Sequence, residues 1–300
     1  MFKPLYIYSS SNFHHKVERE LPALKSVLLE ASGKKIRRID RLTQLALIGS
    51  FQCKPSDGFA KNTGLYMSSI YGSLNNTAKV LAEIYQAGQL PGPSIFINTV
   101  SNAACFYLAQ QFGLLANNQF VTRDHFTLEA ALKLASLDLE IGNVTTALVG
   151  VVCEVGEDLD VHRQRFQINE KYCLAEGSHW LYLAHRRDGT QAIAEITHIA
   201  EPLSEQERDA YFLSKMGENH PSTKIGFGNA VTTTQQEKIL QSLAAQKASY
   251  APHHLRHEFT TALHICGFLE SCKTQTAPKR FIYLDTDGQQ RWSIIVLDRL

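Results

Sequence analysis

The sequence predicts a layered α/β fold made of two successive β/α halves, residues 1–188 and 189–300, packed as one compact unit. Three observations carry this prediction. Short β-rich apolar runs alternate with amphipathic helical stretches along the chain. One of those runs, over 146–152, is apolar on both faces, as a strand covered on both sides has to be. The alternation then restarts after Asp188-Gly189. At 300 residues with 44% hydrophobic content, the chain has enough apolar surface to bury a substantial core.

In the first half the expected strands cover 5–9, 64–70, 119–123, 146–152 and 179–184, with amphipathic stretches such as 76–87 and 126–141 between them. Within 126–141, Phe126, Ala130, Leu134, Leu137 and Ile141 recur at helical spacing, so one face packs on a sheet. Gly142-Asn143 closes that helix, because both residues tolerate the left-handed cap geometry. Asp124 at its start reads as an N-cap that accepts amide hydrogen bonds. In the second half, strands are expected over 192–199 and 224–227 and helices over 234–244 and 259–271. A closing strand pair, 281–285 and 293–298, is joined by the turn Asp287-Gly288. The polar stretch 201–220 runs into Pro221 and is expected to be a mobile loop.

Bulk properties narrow the function. Thirty basic and 29 acidic residues nearly cancel, so no nucleic-acid partner is expected. No run approaches the roughly 18 apolar residues needed to span a bilayer. The N-terminus lacks a charged lead with an apolar signal core, which together points to a cytoplasmic protein. The cysteines Cys53, Cys105, Cys153, Cys173, Cys266 and Cys272 show no CxxC spacing and read as buried reduced thiols. His253, His254 and His257 with Cys266 make a poor zinc set by spacing, and no metal or cofactor is expected.

Several segments, in order, resemble the β-ketoacyl synthases of the thiolase superfamily. Arg37-Arg38-Ile39-Asp40-Arg41-Leu42-Thr43-Gln44-Leu45-Ala46 looks like that family's early basic helix. Gly64-Leu65-Tyr66-Met67-Ser68-Ser69 looks like its second core strand. Pro93-Ser94-Ile95-Phe96-Ile97-Asn98-Thr99-Val100 is similar to the segment leading into the helix near its dimer interface. Phe112-Gly113-Leu114 resembles the approach to the strand before the nucleophile. Glu176-Gly177-Ser178-His179-Trp180-Leu181-Tyr182-Leu183 resembles the block closing the N-terminal half. The resemblance implies the thiolase-like αβαβα layering, with a shortened C-terminal half.

It also implies a site whose chemistry is missing. The nucleophilic cysteine of the family belongs at a strand-to-helix turn, where helix-end amides favour the thiolate. Here that turn reads Asp124-His125-Phe126, with His125 at the cysteine's place. Within Gly226-Phe227-Gly228-Asn229-Ala230-Val231, Val231 stands where the first histidine belongs, and Thr261 stands for the second. Arg256 takes the family's lysine position, and the gating loop shrinks to a hairpin over 285–290. Losing the whole triad argues against decarboxylative condensation, since such groups act as a unit.

What remains resembles a chain length factor, the non-catalytic partner of an active ketosynthase in type II polyketide, aryl-polyene and fatty acid assembly. The resemblance implies two partners: that ketosynthase, and an acyl carrier protein bearing a phosphopantetheine-linked chain. Tunnel or interface positions are then Phe96, Val100, Cys105, Phe106, Leu108, Gln119, Val121 and Arg123. Arg37, Arg38 and Arg41, beside Lys34-Lys35, are the carrier-binding candidates. Two readings stay open. One is an acyltransferase or thioesterase-like enzyme with Cys105 as nucleophile, or with His125–Asp124 or His253-His254 as an acid–base pair. The other is a stand-alone scaffold for the carrier protein.

Overall fold

The computed structural model describes residues 2–100, 102–186, 192–215, 222–243, 245–248, 250–251, 255–256, 259–274, 276–287 and 289–300, with backbone alone at 213–215 and 255–256. The first half opens with β1 (Leu5–Val17), α1 (Lys25–Ser32), α2 (Arg41–Cys53), β2 (Thr63–Ser68) and α3 (Leu74–Tyr85). It continues through α4 (Pro93–Ile97), α5 (Ala103–Phe112), β3 (Asn118–Val121), α6 (Thr127–Glu140), β4 (Thr146–Cys153), α7 (Leu159–Arg165) and β5 (Cys173–Ala184). The second half begins with β6 (Ala194–Leu203), α8 (Glu205–Lys215), β7 (Thr223–Phe227), α9 (Thr233–Ser242) and β8 (Gln246–Lys247). It ends with β9 (Leu255–Arg256), α10 (Thr260–Lys273), β10 (Arg280–Thr286) and β11 (Trp292–Arg299).

Strand order exposes a repeat that the sequence only hinted at. The sheet runs β3-β2-β4-β5-β1-β6-β11-β10-β7-β8, with β9 beside β5. Read outward from its middle, each half has one plan. An antiparallel pair lies inside (β1 and β5, or β6 and β11), and parallel strands follow outside it (β4, β2, β3, or β10, β7, β8). The halves join where Leu5, Tyr6 and Ile7 of β1 pair antiparallel with Ile196, Glu195 and Ala194 of β6. The proposed boundary at 188/189 falls outside the described residues.

Helices fill three layers around the two half-sheets. α6 packs on β2 and β4 and touches β6 of the other half, while α10 packs on β10, β1 and β5. Both are therefore sandwiched, and the central core draws on both halves: Leu128, Leu132 and Ala135 of α6 meet Leu263, Ile265 and Phe268 of α10, with strand residues such as Val149 and Tyr283. α1, α2 and α5 cover the outer face of the first half through Leu45, Ile48, Leu108 and Trp180. α8 and α9 cover the outer face of the second through Phe212, Ile239, Ile282 and Trp292. The fold is the layered αβαβα arrangement.

Three local expectations are corrected. β1 runs to Val17 instead of stopping at residue 9, because Ser9 to Lys16 find backbone partners along β5 despite their low β-propensity. The stretch from Glu201 is not a loop: β6 continues to Leu203 and α8 begins at Glu205, headed by a Ser204–Glu207 exchange of hydrogen bonds at 2.7–3.2 Å. Residues 216–221 lie outside the described set. Asp124 does not cap α6, because the residue before the helix is Phe126 and no side chain caps it. Gly142 does take the left-handed geometry expected of it, at φ 79°.

Candidate functional site

The turn from β3 into α6 is the sharpest feature of the first half. Phe126 sits at φ 57°, ψ 39°, in the left-handed region that bulky residues rarely occupy, and its side chain is buried. Thr127 Oγ1 donates to the Arg123 carbonyl at 3.2 Å and tightens the turn. His125, one residue earlier, is exposed with its ring 6.2 Å from that of Phe126. Phe126 thus points inward at the helix head, while His125 sits at the rim.

A cavity of about 330 Å³ opens at this helix head. Chain segments that follow parallel strands converge on it, the end of an α/β sheet where crevices form. Glu154 follows β4, Asn229 and Ala230 follow β7, Phe259 to Ala262 head α10, and Asp285 and Thr286 end β10. The fold therefore brings the 124–126 turn together with Thr261 and the Asn229-Ala230 pair. It does not bring Val231, which is buried in the outer core with Phe227 and Ile239 because the chain turns back after Ala230. Asn229 and Ala230 face the cavity in its stead. β9 carries Arg256 alongside Leu174 of β5, but its side chain lies outside the described residues.

Buried carboxyls, which the sequence reading missed, dominate the cavity wall. Glu129, one turn into α6, accepts at Oε1 from Thr261 Oγ1 and Ser293 Oγ, each at 3.1 Å. Burial pushes its carboxyl up to about 7, with Asp285 adding to the rise. Asp285 accepts from the Thr286 amide at 2.8 Å and the Tyr283 hydroxyl at 3.0 Å, and burial lifts it to about 6. Glu154 accepts from the Asn75 amide at 2.7 Å at the start of α3, and burial raises it to about 8. Burial, helped by Arg163 and Arg165, drives His162 down to about 4; its neutral Nδ1 accepts from the Gly156 amide at 3.1 Å. A signal for them existed: Glu154 and Asp285 each end an apolar strand run, and Glu129 sits among Leu and Ala on a buried helix.

No family model matches the sequence, and no curated protein matches it. Solved structures do. Similar ones are the ishigamide ketosynthase/chain length factor (14% identity, 99% of each chain, TM-score 0.74) and AntDE:AntF (13%, 100% of each chain, 0.72). The latter is described as a type II PKS acyl-carrier protein in complex with its ketosynthase bound to the hexaketide. The PfaC keto synthase–chain length factor is a third, at 9% identity and TM-score 0.70, over all of this chain and 43% of that one. The chain has the ketosynthase fold.

On that fold the remaining candidates separate. Phe96, Val100 and Phe106 are exposed along the segment from α4 to α5. α5 packs on β3, the edge strand, where Asn118 and Gln119 are exposed and Val121 is half-buried. Arg123, just beyond, donates from Nη1 to both carboxylate oxygens of Glu201 at 2.9 Å. Cys105 and Leu108 are corrected to core packing, since both are fully buried beneath α2 and β2. Cys105 Sγ contacts the Gln119 carbonyl at 3.7 Å, and burial pushes its thiol up to about 12, far from a usable thiolate. Cys153 is a cysteine that does line the cavity, on β4, with Sγ 3.8 Å from the Ala175 carbonyl.

Arg41 also leaves its predicted group. Its Nε donates to Glu176 Oε2 at 2.9 Å and its Nη2 to Glu176 Oε1 and the Pro22 carbonyl, so the guanidinium is spent internally. Arg37 and Arg38 stay exposed and, with Lys25, Lys34 and Lys35, rim a second cavity of about 510 Å³ floored by Leu28 and Ile36. His253, His254 and His257 lie outside the described residues. Among the described residues no helix is long and apolar enough to cross a membrane.

Proposed function

We propose that the chain is a non-catalytic ketosynthase-fold subunit of the chain length factor type. In this reading it pairs with an active β-ketoacyl synthase and helps bound the tunnel holding the growing acyl chain. The observation that carries the proposal is the head of α6. Where a condensing enzyme needs a thiol at the helix head served by two imidazoles, this turn carries His125 and Phe126, and Thr261 and the Asn229-Ala230 pair face it. The thiol in the lining, Cys153, lies on β4 away from the helix head, and His162 is tied to the Gly156 amide, so the condensing arrangement is not assembled there. His125, at the cysteine's place by resemblance, is exposed at the rim, and the buried Phe126 beside it takes the left-handed turn.

The exposed face from α4 to α5 and the free edge of β3 support the pairing half of the proposal. Contiguous exposed apolar residues beside an unpaired strand edge mark a surface that is covered in the working assembly. Arg37 and Arg38 with Lys34 and Lys35 supply the basic rim for an acidic acyl carrier protein, without Arg41. The product class, polyketide, aryl polyene or fatty acid, follows from the ketosynthase it meets.

Co-expression with an active β-ketoacyl synthase tests this. The expected result is a stable 1:1 complex on size exclusion, self-association of the chain when it is made alone, and no condensation by the chain alone. A well-behaved monomer that ignores the ketosynthase and is acylated by acyl-thioester substrates overturns the proposal.

A further inference from the structure

The second cavity lies in the outer layer of the first half, between α1 and the loop 33–40 that leads into α2. It shares no lining residue with the cavity at the head of α6. Its volume of about 510 Å³ suits a small molecule. The lining divides by chemistry. Leu28 is a buried member of the outer core, and the half-buried Ile36 and Ile39 pack on that core, so the floor is hydrocarbon. Leu29, half exposed, carries the apolar surface out to solvent. Lys25, Lys34, Lys35, Arg37 and Arg38 also line it, and all five are exposed. Side chains of this kind lay their stems on apolar surface and keep their charged ends in water.

The loop that carries four of these cations is fixed along its length. Gly33 ends α1 at φ 67°, and its amide donates to the Leu29 carbonyl at 2.8 Å. Asp40 closes the loop by capping α2. Between them Arg38 stands at φ 61°, a left-handed conformation unusual for arginine. Its carbonyl accepts from Nδ2 of the buried Asn98 at 3.2 Å. Such a conformation persists only where the surroundings impose it, so the cations are set around the floor before any ligand arrives.

We propose that this cavity binds a single-chain amphipathic anion, its aliphatic tail on Leu28, Ile36 and Ile39 and its phosphate or carboxylate head among Arg37, Arg38 and the lysines. Guanidinium forks and ammonium groups are the complement of an oxyanion head. A bare inorganic anion would leave the hydrocarbon floor in water, and an uncharged chain would meet none of the five cations. The proposal goes beyond the subunit reading and does not rest on it, because pairing uses the face from α4 to α5.

Isothermal titration of the full chain with n-octyl phosphate, 1-octanol and inorganic phosphate tests the assignment. Octyl phosphate should bind once per chain, and the other two should each bind at least about tenfold more weakly. Its affinity should fall as salt rises, since the cations are exposed. Arg37→Gln with Arg38→Asn, asparagine being suited to the left-handed backbone, should weaken it at least about tenfold. Ile36→Asn should weaken it about as much while leaving assembly with the ketosynthase unchanged. If Ile36→Asn fails to fold, the three ligands on the unmodified chain and the arginine variant still decide. Equal binding of octyl phosphate and inorganic phosphate, more than one octyl phosphate per chain, or no binding at millimolar concentration overturns the proposal. So does binding to phosphatidylglycerol vesicles without binding of free octyl phosphate, which would give the patch to a membrane surface.

Discussion

The two halves of the molecule share a strand order and differ at their free edges. In the first half the sheet ends at β3, and α5, which packs on it, carries Phe106 at 59% exposure, near Phe96 at 56% and Val100 at 51%. In the second half it ends at β8, only Gln246 and Lys247, and Lys247 Nζ donates to Gln236 of α9 at 2.7 Å. A two-residue edge bearing a lysine resists further pairing, whereas a longer edge flanked by exposed aromatics invites a cover. The repeat is strict in the layers that bury the core and free at the rim. One rim is short and closed by its lysine, and the other is longer and flanked by exposed aromatics.

Charge burial differs in the same way and gives the largest expected effect. Glu176 is fully buried in the first half and held by His15 at 2.7 Å and by Arg41. Burial alone would raise its pKa, but the bonds from His15 and Arg41 outweigh it and hold the carboxyl below its usual range. Arg41→Met should therefore cost about 3–5 kcal/mol in a denaturation midpoint experiment, since it strands a buried carboxylate. A carboxyl with a lowered folded pKa stabilises above its unfolded value, and that stability is lost as pH falls through the folded one. The parent chain should accordingly lose stability in acid more steeply than the variant. The second-half pair Arg280–Asp298, at 2.7 Å, is about a quarter exposed on each side, so Arg280→Met should cost only about 1 kcal/mol. Equal losses would show that the two halves bury charge alike.

Close approaches should be nearly as costly and should not distinguish the halves. A Cβ at Gly150 of β4 would lie 2.3 Å from the Trp180 ring, and one at Gly228, after β7, 1.9 Å from the Asp285 carboxyl. Alanine at either position should destabilise by about 3 kcal/mol, read from chemical denaturation. If Gly228→Ala were mild, the Asp285 carboxyl would have room to swing aside, and the second half would be the looser of the two.

These positions also show what the sequence made legible. Apolar runs located the buried strands and α6 and α10, because burial on both faces leaves no alternative pattern. The polar stretch Ser9–Lys16 hid most of β1, since its pairing with β5 comes from register and not from propensity. The polar face of α8 read as a loop for a related reason: an outer-layer helix buries only one stripe. The resemblance placed the α6 turn and Thr261 at one cavity. Val231 was missed by the few ångströms that separate a loop residue facing in from one facing out. The carboxyls of that cavity stayed hidden because they come from α6, β4 and β10, and nothing local marks residues so far apart in sequence as neighbours.

The open rim makes the third prediction, one on association. Phe106→Asp should weaken pairing with the ketosynthase by at least about 2 kcal/mol, or roughly thirtyfold, in a co-purification titration, as expected for an aromatic anchor at the centre of an interface. Lys247→Asp on the closed edge should leave pairing unchanged while keeping the same net charge trend. If the two variants behave alike, the asymmetry of the edges has no bearing on assembly, and the exposed face serves something else.

The smallest effects come from the helix caps, of which one from each half makes the contrast. Asp40 heads α2 by accepting from the Thr43 amide at 3.1 Å, and its second oxygen takes the hydroxyl of Ser73 at the head of α3. Thr232 heads α9 in a reciprocal box with Gln235, at 3.3 and 2.9 Å. Removing a cap costs about 1 kcal/mol, so Thr232→Ala should lower the melting temperature only slightly. Asp40→Ala should cost up to about 2 kcal/mol, because it also frees Ser73 and loosens the junction of α2 with α3. That junction leads into the α4–α5 face, so the extra loss should appear as weaker pairing with the ketosynthase as well as a lower midpoint. Identical midpoints for the two variants would mean that the Asp40–Ser73 bond adds nothing and that α3 holds its place by packing alone.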